Sequence, residues 1–517
     1  MLDLPRAVSN LKSEAIGDWH RDPWGWPEYG YLLKHPELVL TNLNSDTVGQ
    51  VAHVDVPKEN FAARPAMVLD LVDRLTYTAL VDYFSPQLIG ELDRNVFGWR
   101  LSIDGPARGV YERNGDEWAR FRGHLLNSAD EFEVLLLTDI VSCFASISVT
   151  HLNDAVSNSL PSGKPVDRLC GMLEAWEGSS GRAGIPQRSS ASAVLSSFYL
   201  QNLDLILQSQ SHQVGKAQPG EPKEYSWARW MDDMWLFGQD AGPLRRAQVE
   251  LQSEAATLGL NLNSRKTELL EGPDAVQRAL QIEHSAIDNE LVLEALVMDN
   301  KPKRGVRKEP ETPLLDEMLE EILAKPDNVN RTTLRFATTR MRSFTKFDKV
   351  PELMECAHRM PHGSDHLARL FRESVGIADY QDWFLNYVKT PWATYPWAVA
   401  NFGTALRSGV RRPRKATRDY FASVLADGRT SLPLFALAAQ RLSRWDHSEC
   451  RLAIREAVRT TRSPHHLRVA AFAGIAAGEP RTTVKRWLSG HENLLTLRFL
   501  DDRGFRAPSP TRDFTGE

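Results

Sequence analysis

The sequence predicts an α+β region followed by an all-α region, and three observations carry that reading. From residue 51 to residue 271, short apolar runs alternate with amphipathic stretches, the mixture of a sheet covered by helices. Residues 301–313 (KPKRGVRKEPETP) are charged, contain three prolines and lack an apolar period, so they read as a linker. Beyond them the apolar spacing becomes helical: Leu314, Leu315, Met318, Leu319, Ile322 and Leu323 fall on one face. The segments 433–442, 449–459 and 464–477 repeat that behaviour between short Ser/Pro/Gly/Asp turns, as in a stack of helical hairpins. The expected domains are therefore an N-terminal extension (1–50), an α+β region (51–300), the linker (301–313) and a repeat-like helical domain (314–517). The extension is rich in aromatics (Trp19, Trp24, Trp26, Tyr29, Tyr31) and reads as a loop-rich extension or an interaction arm.

Composition narrows the function classes. The chain has 517 residues, enough for two or three domains, with 42% apolar and 25% charged residues. Its longest apolar runs fall well short of the roughly 18 residues of a membrane span, so no membrane partner is expected. Cys143, Cys170, Cys356 and Cys450 are scattered without paired spacing, which argues against zinc or disulfides and for a reducing, cytoplasmic setting. With a net charge of −5, any nucleic-acid role must rest on local basic groups such as residues 301–308 and 411–418.

Two segments carry the chemistry. In EFEVLLLTDIVSCF (131–144) a continuous apolar run has the form of a strand buried on both faces, and Asp139 follows its end. On its own that aspartate reads better as a helix N-cap or turn residue. In SWARWMDDMWLFG (226–238) two adjacent carboxylates stand between apolar-aromatic runs, predicting a β-hairpin with Asp232 and Asp233 at its tip. The bland alternative is a surface turn. The tryptophans in both arms favour burial, and neighbouring buried carboxylates are costly unless a cation offsets them. Three carboxylates and no nitrogen or sulfur donors suit Mg²⁺ or Mn²⁺. Two such ions about 4 Å apart stabilise the attacking and leaving oxygens of phosphoryl transfer.

These segments, in this order, resemble the palm motifs of reverse transcriptases, whose second motif is usually Tyr-x-Asp-Asp. Three further stretches fit the family in sequence. VPKENFAARPAMVLDLVDR (56–74) resembles its fingers, GIPQRSSASAVLSSFYL (184–200) its Gly-x-Pro-Gln-Gly segment, and LGLNLNSRKTELLEG (258–272) the motif with a lysine that protonates departing pyrophosphate. The resemblance covers about residues 50–275. It implies a right-hand polymerase palm and fingers, with Asp139, Asp232, Asp233 and Lys266 catalytic. Metal would be held by Asp139, its neighbour Ile140, Asp232 and Asp233, and the nucleotide by Lys58, Arg64, Arg74, Phe144, Gln187 and Arg188. Lys58, Arg64 and Arg74 read otherwise as a solvated charged face, and Phe144 as a core residue. By the resemblance, Phe144 lies under the incoming sugar, where a ring collides with a ribose 2′-hydroxyl, so deoxynucleoside triphosphates are the expected substrate. Two departures stand out: Trp230 replaces the usual Tyr, and Arg188 the usual second Gly.

The helical C-terminal half resembles that of bacterial defence-associated, abortive-infection-type reverse transcriptases. That likeness implies antiphage activity, cytoplasmic homo-oligomers, and DNA synthesis that is untemplated, protein-primed or copied from a noncoding RNA. Tyr380, Tyr387, Tyr395 and Tyr420 are the candidate primer hydroxyls. An RNA-synthesising polymerase on the same palm and a catalytically retired nucleic-acid scaffold remain the alternatives.

Overall fold

The computed structural model describes residues 2–15, 17–102, 111–179, 184–212, 225–279, 313–407, 409 and 413–511. The expected linker, apart from Pro313, and the basic group 301–308 lie outside the described residues, as do Arg411 and Arg412. The chain folds as two compact units, each assembled from three segments. The first comprises Met1–Glu14, Val39–Val48 and Val72–Lys301, the second Ala15–Leu38, Gly49–Leu71 and Pro302–Glu517. The chain passes from one unit to the other between Val48 and Gly49 and again between Lys301 and Pro302, while the first fifty residues are shared between the two units.

The architecture is mixed α+β. In the second unit β1 (Ala52–Pro57) and β2 (Ala63–Val68) pair as an antiparallel hairpin. In the first, β3 (Val96–Phe97), β4 (Val134–Thr138), β5 (Tyr225–Trp230), β6 (Asp233–Gly238) and β7 (Glu268–Glu271) form one sheet in the order β3-β5-β6-β4-β7. All its pairings are antiparallel except β3 with β5.

Side chains alternate across this sheet. Leu135, Leu137, Ala228, Trp235 and Phe237 join a core with Phe121 and Leu125 of the helix Asn114–Glu131. The other face receives the helices Gln201–His212 and Ala241–Thr257. Cover on both sides explains why all five residues of β4 are buried, as its unbroken apolar run predicts.

In the second unit the helices form two rows. Arg331–Phe344, Ser364–Ser374, Pro396–Thr404, Leu432–Trp445 and Pro464–Ala476 pack successively in one row. Ile377–Tyr387, Lys415–Ala426 and His447–Thr460 make the other. Such nearest-neighbour stacking is that of a helical solenoid. The unit is not all-α, because the β1–β2 hairpin packs on it through Pro396–Thr404. Among the described residues no helix is long and apolar enough to cross a membrane, and the four cysteines are free.

The N-terminal aromatics are core rather than arm. Trp19, Trp24, Trp26 and Tyr29 are all buried. Trp24 meets Phe472 edge-on at 5.5 Å, and the Trp397 indole donates to the Trp19 carbonyl at 2.7 Å. Arg468 anchors this segment: its guanidinium donates to Glu28 at 2.6 and 2.9 Å and to Asp22 at 2.8 and 3.2 Å, against the Trp26 ring. Arg468→Met would leave two buried carboxylates without a cation, so it should cost about 3–5 kcal/mol of stability by chemical denaturation. Wild-type stability in that variant would show that the network is not what fixes the segment.

Candidate functional site

The three aspartates meet because of strand register. The β4–β6 ladder ends at Thr138↔Met234, and continued by one residue it sets Asp139 opposite Asp233. Asp139 is buried and is not a helix cap: the short helix Cys143–Ser146 begins after Ser142. Beyond β4 the chain stays paired, Ile140 with Leu262, while Val141 donates to the Asn261 carbonyl and Asn263 to that of Asp139 at 2.7 Å. Ile140 is buried, so only its backbone carbonyl could face a metal.

The hairpin tip differs by one residue from expectation. Trp230 pairs with Asp233, so the two-residue turn is Met231–Asp232, and Asp233 opens β6. Met231 has φ +57°, a left-handed conformation that hairpin turns usually assign to Gly, Asn or Asp. Arg229 holds it there. Its side chain is fully buried, pairs with both oxygens of Asp204 at 2.6 Å, and donates to the Met231 carbonyl at 2.8 Å. Sequence reasoning missed Arg229; a lone arginine in an otherwise aromatic strand was the available signal. Trp230 lies edge-on to Trp118, with ring centres 4.7 Å apart, and beside Phe121. The bulkier ring is thus accommodated by the aromatic core.

The electrostatics are those of crowded carboxylates. Asp233 presents surface to solvent, yet desolvation by the surrounding protein, then the charges of Asp232 and Asp139, push its pKa up to about 7. Burial and then Asp232 push the neighbouring Cys143 thiol up to about 12. Lys266 supplies the compensating charge through a close ion pair with Asp139 Oδ2. Burial alone would lower its ammonium, but the bond to Asp139 and the three carboxylate charges raise it above the ordinary lysine value. Thr267, bonded to Thr138 at 2.8 Å and to the Asn263 carbonyl, fixes the loop that carries Lys266.

Among the described residues no group of three or more His, Cys, Asp or Glu side chains is drawn together tightly enough to hold a metal ion outright. The donor chemistry nevertheless fits one. Asp139 Oδ1 is buried without a hydrogen-bond partner, and the ammonium of Lys266 occupies the place of a cation on Oδ2. Asp139, Asp232 and Asp233, with the Ile140 carbonyl, would hold Mg²⁺ or Mn²⁺, which supplies charge stabilisation for phosphoryl transfer.

The remaining residues divide between the units. Phe144 is half-buried, and its carbonyl accepts the Ile185 amide at 2.9 Å, so the 184–188 segment docks directly on it. Gly184 (φ +91°) permits this approach, since a Cβ there would strike the Phe144 carbonyl oxygen. Gln187 is half-buried and Arg188 exposed. Arg188 has φ +61°, the conformation for which glycine is the natural residue. Arg74 is buried and paired with Glu14 at 3.3 Å; Glu14 also accepts from the Ser190 amide and hydroxyl. That arginine ties the first helix to the helix Ser190–Tyr199 and is not a surface cation. Lys58 and Arg64 belong to the second unit, where the Arg64 guanidinium lies 5.1 Å from the Trp19 ring centre. The expected fingers segment is thus split between units.

Of the candidate primer tyrosines, Tyr380 and Tyr387 are buried, and Tyr380 donates to the Phe402 carbonyl at 2.7 Å. Tyr395 donates to the Phe61 carbonyl, and burial pushes Tyr420 up to about 12. Tyr395 and Tyr420 are half-buried.

No protein-family model matches the chain, and no curated protein matches it.

Two outcomes follow from this geometry. Arg188→Gly should unfold at or above the wild-type temperature, because a left-handed non-glycine residue costs on the order of 1 kcal/mol. A fall of more than about 2 °C in a thermal melt would mean that contacts of the arginine outweigh its backbone strain.

The second concerns pH. The folded state keeps a proton on Asp233 up to about pH 7, whereas an unfolded chain loses it near the ordinary aspartate value of 3.8. Folding then binds protons, so in metal-free buffer stability falls as pH rises between those limits. Asp233→Asn should lack this component, and Mg²⁺ near neutral pH should raise the melting temperature of the wild type more than that of the variant. Identical pH and Mg²⁺ responses in the two proteins would remove the carboxylate cluster as the cause.

Proposed function

We propose that the chain is a nucleotidyltransferase of the reverse-transcriptase type, a DNA polymerase that adds deoxynucleotides with two Mg²⁺ or Mn²⁺ ions. One observation carries the reading: adjacent antiparallel strands bring Asp139 face to face with the Asp232–Asp233 pair, and Lys266 stands on the same carboxylate. An α+β unit that carries three carboxylates at the ends of its central strands supports the reading. When bound, the metals stabilise charge on the oxygens exchanged at phosphorus. The protein's own part is to orient and to manage protons. Arg229 fixes the hairpin turn, and the paired segment after β4 fixes Asp139. Lys266 carries a proton beside the site, where a departing pyrophosphate would take it. Phe144, clasped by the 184–188 segment, is the residue that would exclude a 2′-hydroxyl.

The biological setting we propose is antiphage defence by a cytoplasmic homo-oligomer. Its DNA is made on or without a template, a noncoding RNA being one candidate. Support comes from the presence, in one chain, of a solenoid-like second unit and a unit that carries the carboxylate site, the domain order to which the sequence likeness points. Because Tyr380 and Tyr387 are buried, a protein primer would have to come from elsewhere than these two hydroxyls.

The test is incorporation of labelled deoxynucleotides by purified wild-type protein and by Asp232→Asn/Asp233→Asn. The double variant should stay folded, since it loses a repulsion, and should lose at least about 10²–10³ in rate. Undiminished incorporation by the variant would sink the proposal. Preferential use of ribonucleotides by the wild type would move it to an RNA polymerase on the same site.

A further inference from the structure

The second unit contains a partly open cavity of about 50 Å³, lined only by its own residues. Its walls bring together the guanidinium groups of Arg21, Arg331, Arg369 and Arg372 beside the rings of Trp19 and Trp397. The carboxylates in the lining are Asp18 and Asp365, so the walls carry an excess of two positive charges. Asp365 is already engaged, by Arg331 at 2.8 Å and Arg21 at 3.5 Å. Arg369 makes no hydrogen bond or ion pair with any described residue. Burial, and next the field of Arg21, pull its guanidinium down to about 10. Cations are thus held together here against their own repulsion, at a cost that a bound anion would relieve.

We propose that this cavity binds a phosphoryl oxyanion, as free phosphate or pyrophosphate or as the phosphate end of a nucleotide, between Arg369, Arg372 and Arg21. Guanidinium forks match tetrahedral oxyanions in shape and hydrogen-bonding pattern, and low-dielectric aromatic walls strengthen the attraction. Size sets the ligand class. A buried water needs roughly 10–15 Å³ by the same measure, so the cavity accepts a few waters or one tetrahedral group and leaves a nucleobase outside. Its charge excess of two matches a hydrogen-phosphate dianion. None of the carboxylate-site residues takes part, so this inference stands or falls separately from the polymerase reading.

The experiment uses the full chain in EDTA-containing buffer, which removes metal-dependent nucleotide binding. Phosphate, pyrophosphate and dATP are titrated calorimetrically and in thermal melts, with NaCl at matched ionic strength as control. Saturable heat and a melting-temperature rise absent with NaCl are expected. Arg369→Ala/Arg372→Ala should weaken the affinity at least about tenfold, the loss of a charge-assisted hydrogen bond. Saturation by phosphate or pyrophosphate assigns a free oxyanion, and saturation by dATP alone assigns a nucleotide-borne one. No saturable binding of any probe, or equal affinity in a folded double variant, overturns the proposal. Should that variant misfold, Arg369→Gln, which breaks no hydrogen bond with a described residue, is read in the same way.

Discussion

The ladder between β4 and β6 brings Asp139 and Asp233 face to face, with Asp232 one residue away. Three carboxylates so placed repel one another unless a cation lies among them. Much of the first unit is arranged around that repulsion. Lys266 offsets part of it, and the rest is left to the proton that Asp233 retains to about pH 7. Neither solution is complete, since Asp139 Oδ1 stays buried without a partner. Evolution toward stability alone would have replaced one aspartate by asparagine. The cluster makes sense if a divalent ion is its intended counter-charge.

Holding the cluster takes rigid neighbours on both strands. The Arg229–Asp204 pair, buried under the sheet, reaches up to the Met231 carbonyl and keeps the turn in a conformation unfavourable to methionine. On the other side, pairing of residues 139–141 with 261–263 extends the rigid region past β4. A buried, bidentate salt bridge is a weak source of stability but a strong source of geometry. Here geometry is what the carboxylates need.

Local patterns were readable where a side chain's role is set by near neighbours. The run 134–137 specified a strand covered on both faces, and the 226–238 pattern specified a hairpin. The helical period specified the elements of the second row-and-row unit. Where the role depends on distant residues, the pattern misled. The aromatics between Trp19 and Tyr31 resemble an exposed arm only because their partners, Trp397, Arg468 and Phe472, lie hundreds of residues away. Arg74 reads as a surface cation until Glu14 is seen beside it. The turn shifted by one residue because Met231, not an aspartate, takes the positive φ, and nothing in methionine's local preference announces that. Arg188 is the converse case: its left-handed backbone marks a position where glycine would sit naturally, although the residue there is an arginine.

The path of the chain also has a temporal meaning. Segments of the two units alternate along the first seventy residues, and Glu28 waits for Arg468, 440 positions downstream. At ordinary ribosomal rates that interval is on the order of 20–90 s, during which Asp22 and Glu28 lack the guanidinium that pairs with both. The nascent chain must therefore carry an unfinished N-terminal segment until Arg468 has been made. Folding of the second unit is thus closed by helices of its last segment rather than begun by those of its first.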